Sequence, residues 1–306
     1  MTTRTEQLLS ELAREAAVRL PHEGTLKMQA SGLRILRREE RSRRVSCVSR
    51  TAVGLIVRGR KEARMIDARL AYGAGACIVT SVELPDTFEA VGATHADPFL
   101  GLVLDIEEEV MTAVLAKLRG SPAGLPAAVE GPRAAAVFTA PDAVLDAFLR
   151  LLRLADEGAG SAFIAPLVKE ELYYRILTSP AAGAFRSLFH SGTPENRIRE
   201  AAVWMRANYR RDFDMDEAAG RIGMSPATFY RRFREVIGAS PRQYVKTLRL
   251  YEAERLMRED GIDAAVAAFE VGYASAAYFS REFKRVFGLA PKRHVERARA
   301  QCGEAA

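Results

Sequence analysis

Residues 224–245 read MSPATFYRRFREVIGASPRQYV, and residues 274–295 read ASAAYFSREFKRVFGLAPKRHV. The two stretches stand fifty residues apart, and nine aligned positions are identical, among them phenylalanines, an arginine, a glycine and a proline. A solenoid needs about three repeats to bury its core, so two copies predict a tandem pair of small units instead. A pair of similar basic units suits a protein that contacts one nucleic-acid duplex at two places.

Each copy is predicted to form a helix-turn-helix, at residues 214–236 and 263–287. In the first unit Gly223 is the turn, because glycine adopts the positive φ that ends a helix at little steric cost. Ser225 follows as the N-cap of the second helix, with proline at the first helical position. The corresponding turn and cap residues of the second unit are Gly272 and Ser275.

The second helix of each unit has two distinct faces. Apolar residues at helical spacing predict a buried stripe. The residues of this stripe are Phe229, Phe233 and Val236 in the first unit and Phe279, Phe283 and Val286 in the second. The other face carries Ala227, Tyr230, Arg231 and Arg234 in the first unit and Ala277, Ser280, Arg281 and Lys284 in the second. Arginine can bind a guanine edge bidentately, and small residues permit close approach to a major groove. Basic residues often only solvate a helix, but the recurrence of one arginine at the same place in both units favours a binding role.

The segments around the two units predict further helices. Residues 241–258 combine good helix formers with regularly spaced apolar residues and are predicted to connect the units rigidly. Residues 195–209, which contain Trp204, predict a helix packed on the first unit. Such a connector could hold two recognition helices about one turn of DNA apart, roughly 34 Å.

Residues 195–306 resemble the DNA-binding domain of the AraC/XylS family of bacterial transcriptional regulators. The resemblance rests on the paired units, on the connecting stretch YVKTLRLYEAERLM and on the run VGYASAAYFSREFKRVFGLAPKRH. It implies an activator-type regulator that binds double-stranded promoter DNA in two successive major grooves, with RNA polymerase as a further partner. The DNA-contacting residues that it implies are Ala227, Thr228, Tyr230, Arg231 and Arg234, and Ala276, Ala277, Ser280, Arg281 and Lys284.

Length and charge agree with two domains, at residues 1–190 and 195–306. Residues 195–306 hold 21 Lys and Arg against 16 Asp and Glu, which accounts for five of the chain's net charges of +6. The positive charge therefore collects where phosphate neutralisation would use it. The sequence has no apolar run of about 18 residues and no leader pattern, and its three cysteines lack metal spacing, so we expect a cytoplasmic protein without membrane contact.

The first 190 residues predict an α+β arrangement. A helix at residues 1–20 precedes six short strand-like segments, at 33–37, 46–50, 54–58, 63–66, 76–81 and 99–104. Many short strands with frequent glycines favour a compact β-barrel or jelly roll. Helices are predicted at 105–118, 141–154 and 166–177, with a Pro/Gly-rich connector at 120–132 and an interdomain linker at 190–194.

This half resembles the cupin-like N-terminal domain of one branch of the same family. The matching stretches include VRGRK at 57–61, SVELP at 81–85, DPFLGLVLD at 97–105 and APLVKEELYYRIL at 165–177. The resemblance implies a regulatory domain for a small-molecule effector that the sequence does not identify, and a homodimer formed by its helices. The apolar residues of the helical segment 141–177 fit such an interface, but they could equally close the barrel's own core. They are Leu145, Phe148, Leu149, Leu152, Leu167, Leu172 and Tyr173.

Three other possibilities remain at this stage. A cupin-type enzyme would hold a metal with several histidines and a carboxylate. Only His22 and His95 precede the linker at 190–194, and they stand far apart, so we expect no metal, cofactor or catalytic residue. A weakly specific DNA binder is the second, since Ala276 and Ala277 stand where family members often have polar side chains. Electrophile sensing through Cys77, or through Cys47, is the third.

Overall fold

The computed structural model describes residues 2–40, 45–66, 69–120, 133–154 and 158–303. Within these ranges the chain forms ten β-strands and twelve α-helices. The strands are β1 (Gly24–Lys27), β2 (Arg34–Arg38), β3 (Val45–Ser49), β4 (Ala52–Arg58), β5 (Arg60–Met65), β6 (Arg69–Gly73), β7 (Ala76–Thr80), β8 (Leu84–Val91), β9 (Phe99–Asp105) and β10 (Ala135–Thr139). The helices of the first part are α1 (Arg4–Arg19), α2 (Glu108–Arg119), α3 (Asp142–Arg153), α4 (Ser161–Leu177) and α5 (Arg186–Phe189). Those of the second part are α6 (Pro194–Asn208), α7 (Met215–Arg221), α8 (Pro226–Ile237), α9 (Pro241–Glu259), α10 (Ala264–Glu270), α11 (Ala276–Phe287) and α12 (Pro291–Gly303).

The strands form two antiparallel sheets. One has the order β1-β2-β9-β4-β7-β10 and the other the order β3-β8-β5-β6. In β4 both faces are buried: Leu55 lies in the large core shared with α1 and α3, whereas Ile56 lies in a smaller cluster with Tyr72 and Phe88. One core therefore lies between the sheets, and the other lies between a sheet and the helices. The predicted fold class, a β-barrel part with helices followed by an all-helical part, is confirmed.

All six predicted strand segments overlap observed strands, whereas β1, β6, β8 and β10 were not predicted. β8 shows why. It contains Pro85 and Asp86, two residue types that are depleted in strands, yet it pairs with β3 on one side and β5 on the other. Asp86 is tolerated because its carboxylate accepts a hydrogen bond from the Ser49 hydroxyl across the pair (2.8 Å).

Helix α4 begins at Ser161, five residues before the predicted start at Pro166. A proline inside a helix leaves the carbonyl four residues earlier without its usual partner. That carbonyl belongs to Ala162, an exposed residue, so water can hydrogen-bond to it. Solvent exposure thus allows the helix to pass through a residue that the sequence marks as a start.

The helical segment 141–177 packs mainly on the core of its own domain. Among the seven apolar residues expected there, only Leu167 is well exposed, at 62% of its surface. The buried ones are Leu145, Phe148, Leu149, Leu152, Leu172 and Tyr173. An exposed apolar face nevertheless remains on α4, consisting of Phe163, Ile164, Leu167 and Tyr174.

The predicted linker at residues 190–194 is a tight turn between α5 and α6. The Thr193 side chain caps α6 by accepting a hydrogen bond from the N–H of Asn196 (3.1 Å), and its hydroxyl also donates to the carbonyl of Ser187 (2.5 Å). Asn196 in turn donates to the carbonyl of Leu188 (2.9 Å). These bonds fold the chain back, so that α6 packs against α5.

The segment between β7 and β8 docks onto the second part of the chain. Arg199 of α6 donates to the carbonyl of Ser81 (2.9 Å) and forms an ion pair with Glu108 at the start of α2. The fully buried Tyr244 of α9 donates its hydroxyl proton to the carbonyl of Glu83 (2.8 Å). A backbone bond from Ala134 to the carbonyl of Val236, near the end of α8, adds to this contact (2.8 Å). The sheets are thereby joined directly to α6, α8 and α9.

Candidate nucleic-acid interface

Helices α7 and α8 form the first helix-turn-helix. Asp214 caps α7 by accepting a hydrogen bond from the second helical N–H, and Gly223 follows α7 with φ +64°. Ser225 caps α8 by accepting a bond from the N–H of Thr228, and the helix ends at Gly238 in the left-handed conformation. The caps satisfy N–H groups that a helix cannot satisfy internally, and they fix where α8 begins.

Helices α10 and α11 repeat this arrangement. Asp263 caps α10 (2.8 Å to the N–H of Ala265), Gly272 supplies the turn with φ +90°, and Ser275 caps α11. Gly288 ends α11 in the left-handed conformation, as Gly238 ends α8. The turn glycines and cap serines predicted from the repeat therefore occupy the predicted places in both units.

The buried faces of α8 and α11 hold the aromatic residues that the periodicity predicts. Phe229 and Phe233 are fully buried with ring centroids 5.4 Å apart, and Phe279 and Phe283 are fully buried at 5.5 Å. Edge-on and tilted ring pairs at these distances stabilise the fold by more than the burial of their apolar surface alone would. The two recognition helices thus rest on closely similar aromatic cores.

The prediction that Val286 is buried was wrong. Val286 is 40% exposed, whereas its counterpart Val236 is buried. The next residue, Phe287, takes the inward position in α11 and packs against Phe283 (4.3 Å) and Tyr251 (5.3 Å). The first unit buries both Val236 and Ile237 at these two positions, whereas the second unit packs only Phe287 inward.

The predicted contact residues of α8 lie on its outward face. Ala227, Arg231 and Arg234 are exposed, and Thr228 and Tyr230 are half-buried. Arg231 forms an ion pair with Glu235 one turn later (2.9 Å), whereas Arg234 has no ion-pair partner among the described residues. Exposed pairs of this kind contribute only about 0–1 kcal/mol, so Arg231 can exchange Glu235 for another acceptor at little cost.

The predicted contact residues of α11 also share an outward face. Ala277, Arg281 and Lys284 are exposed, and Ala276 and Ser280 are half-buried. Lys284 has no ion-pair partner in the part of the chain that the structure describes. The first two positions of α11, Ala276 and Ala277, carry small side chains, and the basic groups of its outward face begin at Arg281.

Two residues outside the predicted contact set, Arg242 and Tyr278, lie beside the predicted contacts of α8 and α11. The Arg242 guanidinium donates to the Tyr230 hydroxyl (2.9 Å) and fixes that ring from α9. Tyr278 is 46% exposed, and its ring lies 5.8 Å from the Arg281 guanidinium. Tyr278 could have been found from sequence, since it stands between Ala277 and a buried phenylalanine, where an outward position is expected. Arg242 required the structure, because twelve residues separate it from Tyr230.

A second basic surface lies beside the first turn. The guanidinium groups of Arg211 and Arg221 lie 5.1 Å and 4.8 Å from the Trp204 ring, which also packs edge-on against Phe213 (4.9 Å). Cation–π contacts hold both arginines close to the tryptophan. The structure thus places two exposed cations on one tryptophan ring, Arg211 from the loop before α7 and Arg221 from the end of α7.

The N-terminal part offers little chemistry in the ranges that the structure covers. No group of three or more metal-ligating side chains occurs there. His22 is exposed, and the exposed His95 lies 2.6 Å from Glu39, which lowers the pKa of that carboxyl. Cys77 is fully buried, and burial raises the pKa of its thiol far above the ordinary range, which argues against electrophile sensing at this residue. The side chains of Cys47 and Cys302 and nearly all of the connector at 120–132 lie outside the described residues.

An open surface groove of about 530 Å³ lies between α2 and α4. Val114, Leu118, Leu167 and Tyr174 contribute its apolar lining.

Among the described helices, none combines the length and the apolar character needed to cross a bilayer.

Two family models match the chain. One, described as the N-terminus of AraC-type transcriptional regulators, matches residues 29–184, which is just over half of the 306 residues. The other, described as a helix-turn-helix domain, matches residues 218–297 and so includes both units.

Curated proteins of similar sequence are regulators of transcription. The HTH-type transcriptional activator RhaS of Mannheimia succiniciproducens is 26% identical over 135 residues, which cover 44% of this chain and 48% of RhaS. The virulence regulon transcriptional activator VirF of Yersinia enterocolitica is 29% identical over 113 residues, covering 37% of this chain and 41% of VirF. The chain therefore spans about half the length, or less, of these curated relatives.

Among solved structures, ToxT from Vibrio cholerae matches nearly the whole chain. One ToxT structure aligns with a TM-score of 0.54 and 11% identity, covering 86% of this chain and 97% of ToxT. A ToxT structure described as bound to an unsaturated fatty acid aligns with a TM-score of 0.53 and 12% identity, covering 86% and 94%. At this level of identity the match shows a common fold: a β-sheet part followed by a helical part.

Proposed function

The chain belongs to the AraC-type transcriptional regulators, and on that basis we propose that it is an activator that binds one DNA duplex with α8 and α11 in two successive major grooves. The observation that carries the proposal is the repeat of one arrangement in both units: a serine-capped helix, a buried aromatic face and an exposed basic face. Two helices held on one connector can contact two grooves only if the grooves lie on the same side of the duplex, about 34 Å apart.

Within this proposal the exposed side chains divide into two groups. Arg231 and Arg281 occupy equivalent positions and read base edges, since arginine binds guanine bidentately. Arg234 and Lys284 lie one turn nearer the helix ends and neutralise phosphates. The remaining proposed contacts are Ala227, Thr228 and Tyr230 in α8 and Ala276, Ala277 and Ser280 in α11. In α11 the alanines permit a close approach and contact thymine methyl groups.

The N-terminal part is the regulatory half in this proposal. We assign residues 1–190 to an effector domain and residues 195–306 to the DNA-binding domain, with helix-turn-helix units at 214–236 and 263–287 around the connector at 241–258. A small apolar molecule is a suitable class of effector, since a protein of the same fold, ToxT, has been solved with a fatty acid bound. The contacts of Ser81 and Glu83 with α6 and α9 would carry the effector signal to the first unit.

A homodimer is the assembly that the surface of α4 supports. Phe163 and Leu167, 80% and 62% exposed, lie one turn apart and form an apolar face with Ile164 and Tyr174. Contiguous exposed apolar side chains on a regulatory domain are typical of a protein interface. RNA polymerase completes the proposed partners, and the cytoplasm is the proposed location, as for a regulator that acts on chromosomal DNA.

Two alternatives are tested by the same experiment. A cupin-type enzyme is disfavoured because His22 and His95, the histidines of the barrel segment, are exposed and far apart in sequence. A weakly specific DNA binder is favoured by one observation, the small side chains at the first two positions of α11. Specific and nonspecific binding differ by typically 10³–10⁷ in affinity, so the two functions are separable by measurement.

The test is to select genomic fragments on the purified protein, footprint the tightest, and repeat with Arg231→Ala and Arg281→Ala. We expect a protected site that spans two adjacent major grooves. Each variant should lose about 1–3 kcal/mol of binding free energy and should relax specificity at one position only. Arg232→Ala is the matched control, because Arg232 lies on α8 but turns toward Glu195 (3.7 Å). Diffuse binding that depends only on salt would refute sequence-specific regulation.

A further inference from the structure

Arg249 of the connecting helix α9 joins the two helix-turn-helix units. Its guanidinium donates three hydrogen bonds to backbone carbonyls: to Tyr209 (2.7 Å), to Arg211 (3.0 Å) and to Gly272 (3.0 Å). Each of its three nitrogens is used once. A planar guanidinium fixes direction as well as distance, so this arrangement holds its three acceptors rigidly.

The acceptors lie in two separate parts of the helical half, the loop before the first unit and the turn of the second. Tyr209 and Arg211 lie in the loop between α6 and α7, which leads into the first unit. Gly272 is the turn of the second unit, between α10 and α11. Arg249 therefore connects the loop that precedes one recognition helix to the turn that precedes the other.

The two turn glycines have different surroundings. Gly223 and Gly272 both have positive φ, but a Cβ at Gly223 would come no closer than 4.0 Å to another residue, at the Arg197 side chain. A Cβ at Gly272 would overlap the carbonyl oxygen of Arg210 and lie 3.2 Å from the Arg249 guanidinium carbon. The turn of the second unit is thus pressed against the backbone of the loop that leads into the first unit, whereas Gly223 makes no such close contact with the described residues.

A further bond ties α11 to the connector on its other side. Lys246 of α9 forms an ion pair with Glu282 of α11, and the Glu282 side chain is only 15% exposed. Contacts on both sides of the second unit therefore limit its rotation about α9.

We propose that Arg249, with Gly272, sets the separation and relative rotation of the two recognition helices and so determines which half-site spacing the protein accepts. This inference rests on the proposed function, since it concerns how the two helices contact one duplex. The physical reason is that a connecting helix alone can bend and twist. The three hydrogen bonds of Arg249, here called the clamp, resist that bending because they join the loop before the first unit to the turn of the second. One added base pair rotates the second groove by roughly 34°, given about 10.5 base pairs per turn. A rigid pair of units cannot follow that rotation, and a loosened pair can.

The test uses the footprinted duplex, two versions with one base pair added or removed between its halves, and a version with one half scrambled. Wild-type protein should bind the altered spacings at least about tenfold more weakly, the equivalent of losing one base contact. Arg249→Met keeps the straight side-chain stem but removes every donor. It should bind the original site about tenfold more weakly, bind the altered spacings within about threefold of the original, and bind the scrambled version as wild type does.

Two further variants separate the clamp from general folding. Gly272→Ala should reproduce the loss of spacing preference because its methyl group displaces the Arg210 backbone. Gly223→Ala, which carries the same positive-φ strain without the clash, should retain the full spacing penalty. Thermal unfolding of each variant reports whether the fold is intact.

The outcomes are distinguishable. If Arg249→Met and Gly272→Ala both retain the wild-type spacing penalty, the clamp does not set spacing and the inference is overturned. The same holds if they weaken all four duplexes by one common factor. If wild-type protein shows no two-groove site at all, the proposed function itself fails, whatever the variants do.

Discussion

At the scale of single residues, burial decides which of the chemically active side chains can react. Cys77 pairs with Leu55 and Phe138 across β7 and is completely shielded from water. Desolvation disfavours the thiolate, so the pKa of its thiol is raised by burial. The arginines of α8 and α11, by contrast, keep their charges in solvent.

This burial makes a prediction about thiol reactivity. In a Cys47→Ser, Cys302→Ser background, Cys77 should resist alkylation by iodoacetamide at pH 8 until the protein is unfolded by denaturant. The buried neutral thiol leaves the free energy of unfolding unaffected by pH below the unfolded thiol's pKa, about 8.5. Above that pH the free energy of unfolding falls, because only the unfolded thiol ionises. Mass spectrometry of the native and denatured samples measures the modified fraction. Rapid labelling of the native protein would contradict this prediction and would revive electrophile sensing.

At the level of secondary-structure elements, the apolar residues of α3 and α4 have different roles: those of α3 pack inside the domain, whereas some of those on α4 are exposed and available for a dimer interface. α3 buries Leu145, Phe148 and Leu152 against its own domain, whereas α4 leaves an apolar face in solvent. Apolar content alone could not distinguish these two helices, since both are rich in leucine. Whether a neighbouring element covers each face is a property of the folded chain.

The α4 face predicts a change of assembly on substitution. Leu167→Glu should convert a dimer into a monomer, because a carboxylate would be buried without a partner at the interface. Light scattering at about 10 µM protein, a concentration at which a dimer with a Kd of about 1 µM is mostly formed, gives the mass. Val203→Glu on α6, where the valine is 49% exposed, is the matched control and should leave the mass unchanged. A monomeric wild-type protein, or a dimeric Leu167→Glu variant, would disprove the assignment of α4.

Across the whole molecule, α6 and α9, the helices that flank the first helix-turn-helix, are bonded directly to the N-terminal part of the chain. Arg206 of α6 reaches Glu83 (2.6 Å) and, on α9, Glu252 (3.8 Å), so one side chain contacts both parts of the chain. Arg199, with a side chain only 4% exposed, makes the parallel contact with Glu108 and Ser81. A conformational change in the sheets would therefore shift α6 and α9 before the other helices of the second part.

Removal of the Arg199 contact should loosen the two parts. Arg199→Met leaves the carbonyl of the buried Ser81 without this donor, and we expect the free energy of unfolding to fall by about 1–3 kcal/mol. Urea unfolding followed by fluorescence measures the change, and limited proteolysis between residues 185 and 200 should become faster. Arg211→Met, which removes the exposed pair with Glu217, should cost less than about 1 kcal/mol. Equal stability of the two variants would show that the interdomain contact contributes little.

The paired units, their caps and their turns follow from the order of residues alone. Ser225, Ser275, Gly223 and Gly272 were predictable because helix capping and positive φ depend on residues within one or two turns of chain. The buried phenylalanines were predictable for a similar reason, since a helical period brings residues three and four apart onto one face. The contact residues of α8 and α11 follow from the same period and stay predictions until DNA is bound.

How these helices and turns pack against one another depends on contacts that form only in the folded chain. The repeat makes Gly223 and Gly272 equivalent, yet only Gly272 is pressed against a distant segment, because the α6–α7 loop reaches it from more than sixty residues away. The exposure of Val286, the passage of α4 through Pro166 and the bond from Tyr244 to the carbonyl of Glu83, 161 residues apart, have the same origin. Such contacts depend on which surfaces meet after folding, and no period or local propensity in the chain encodes that.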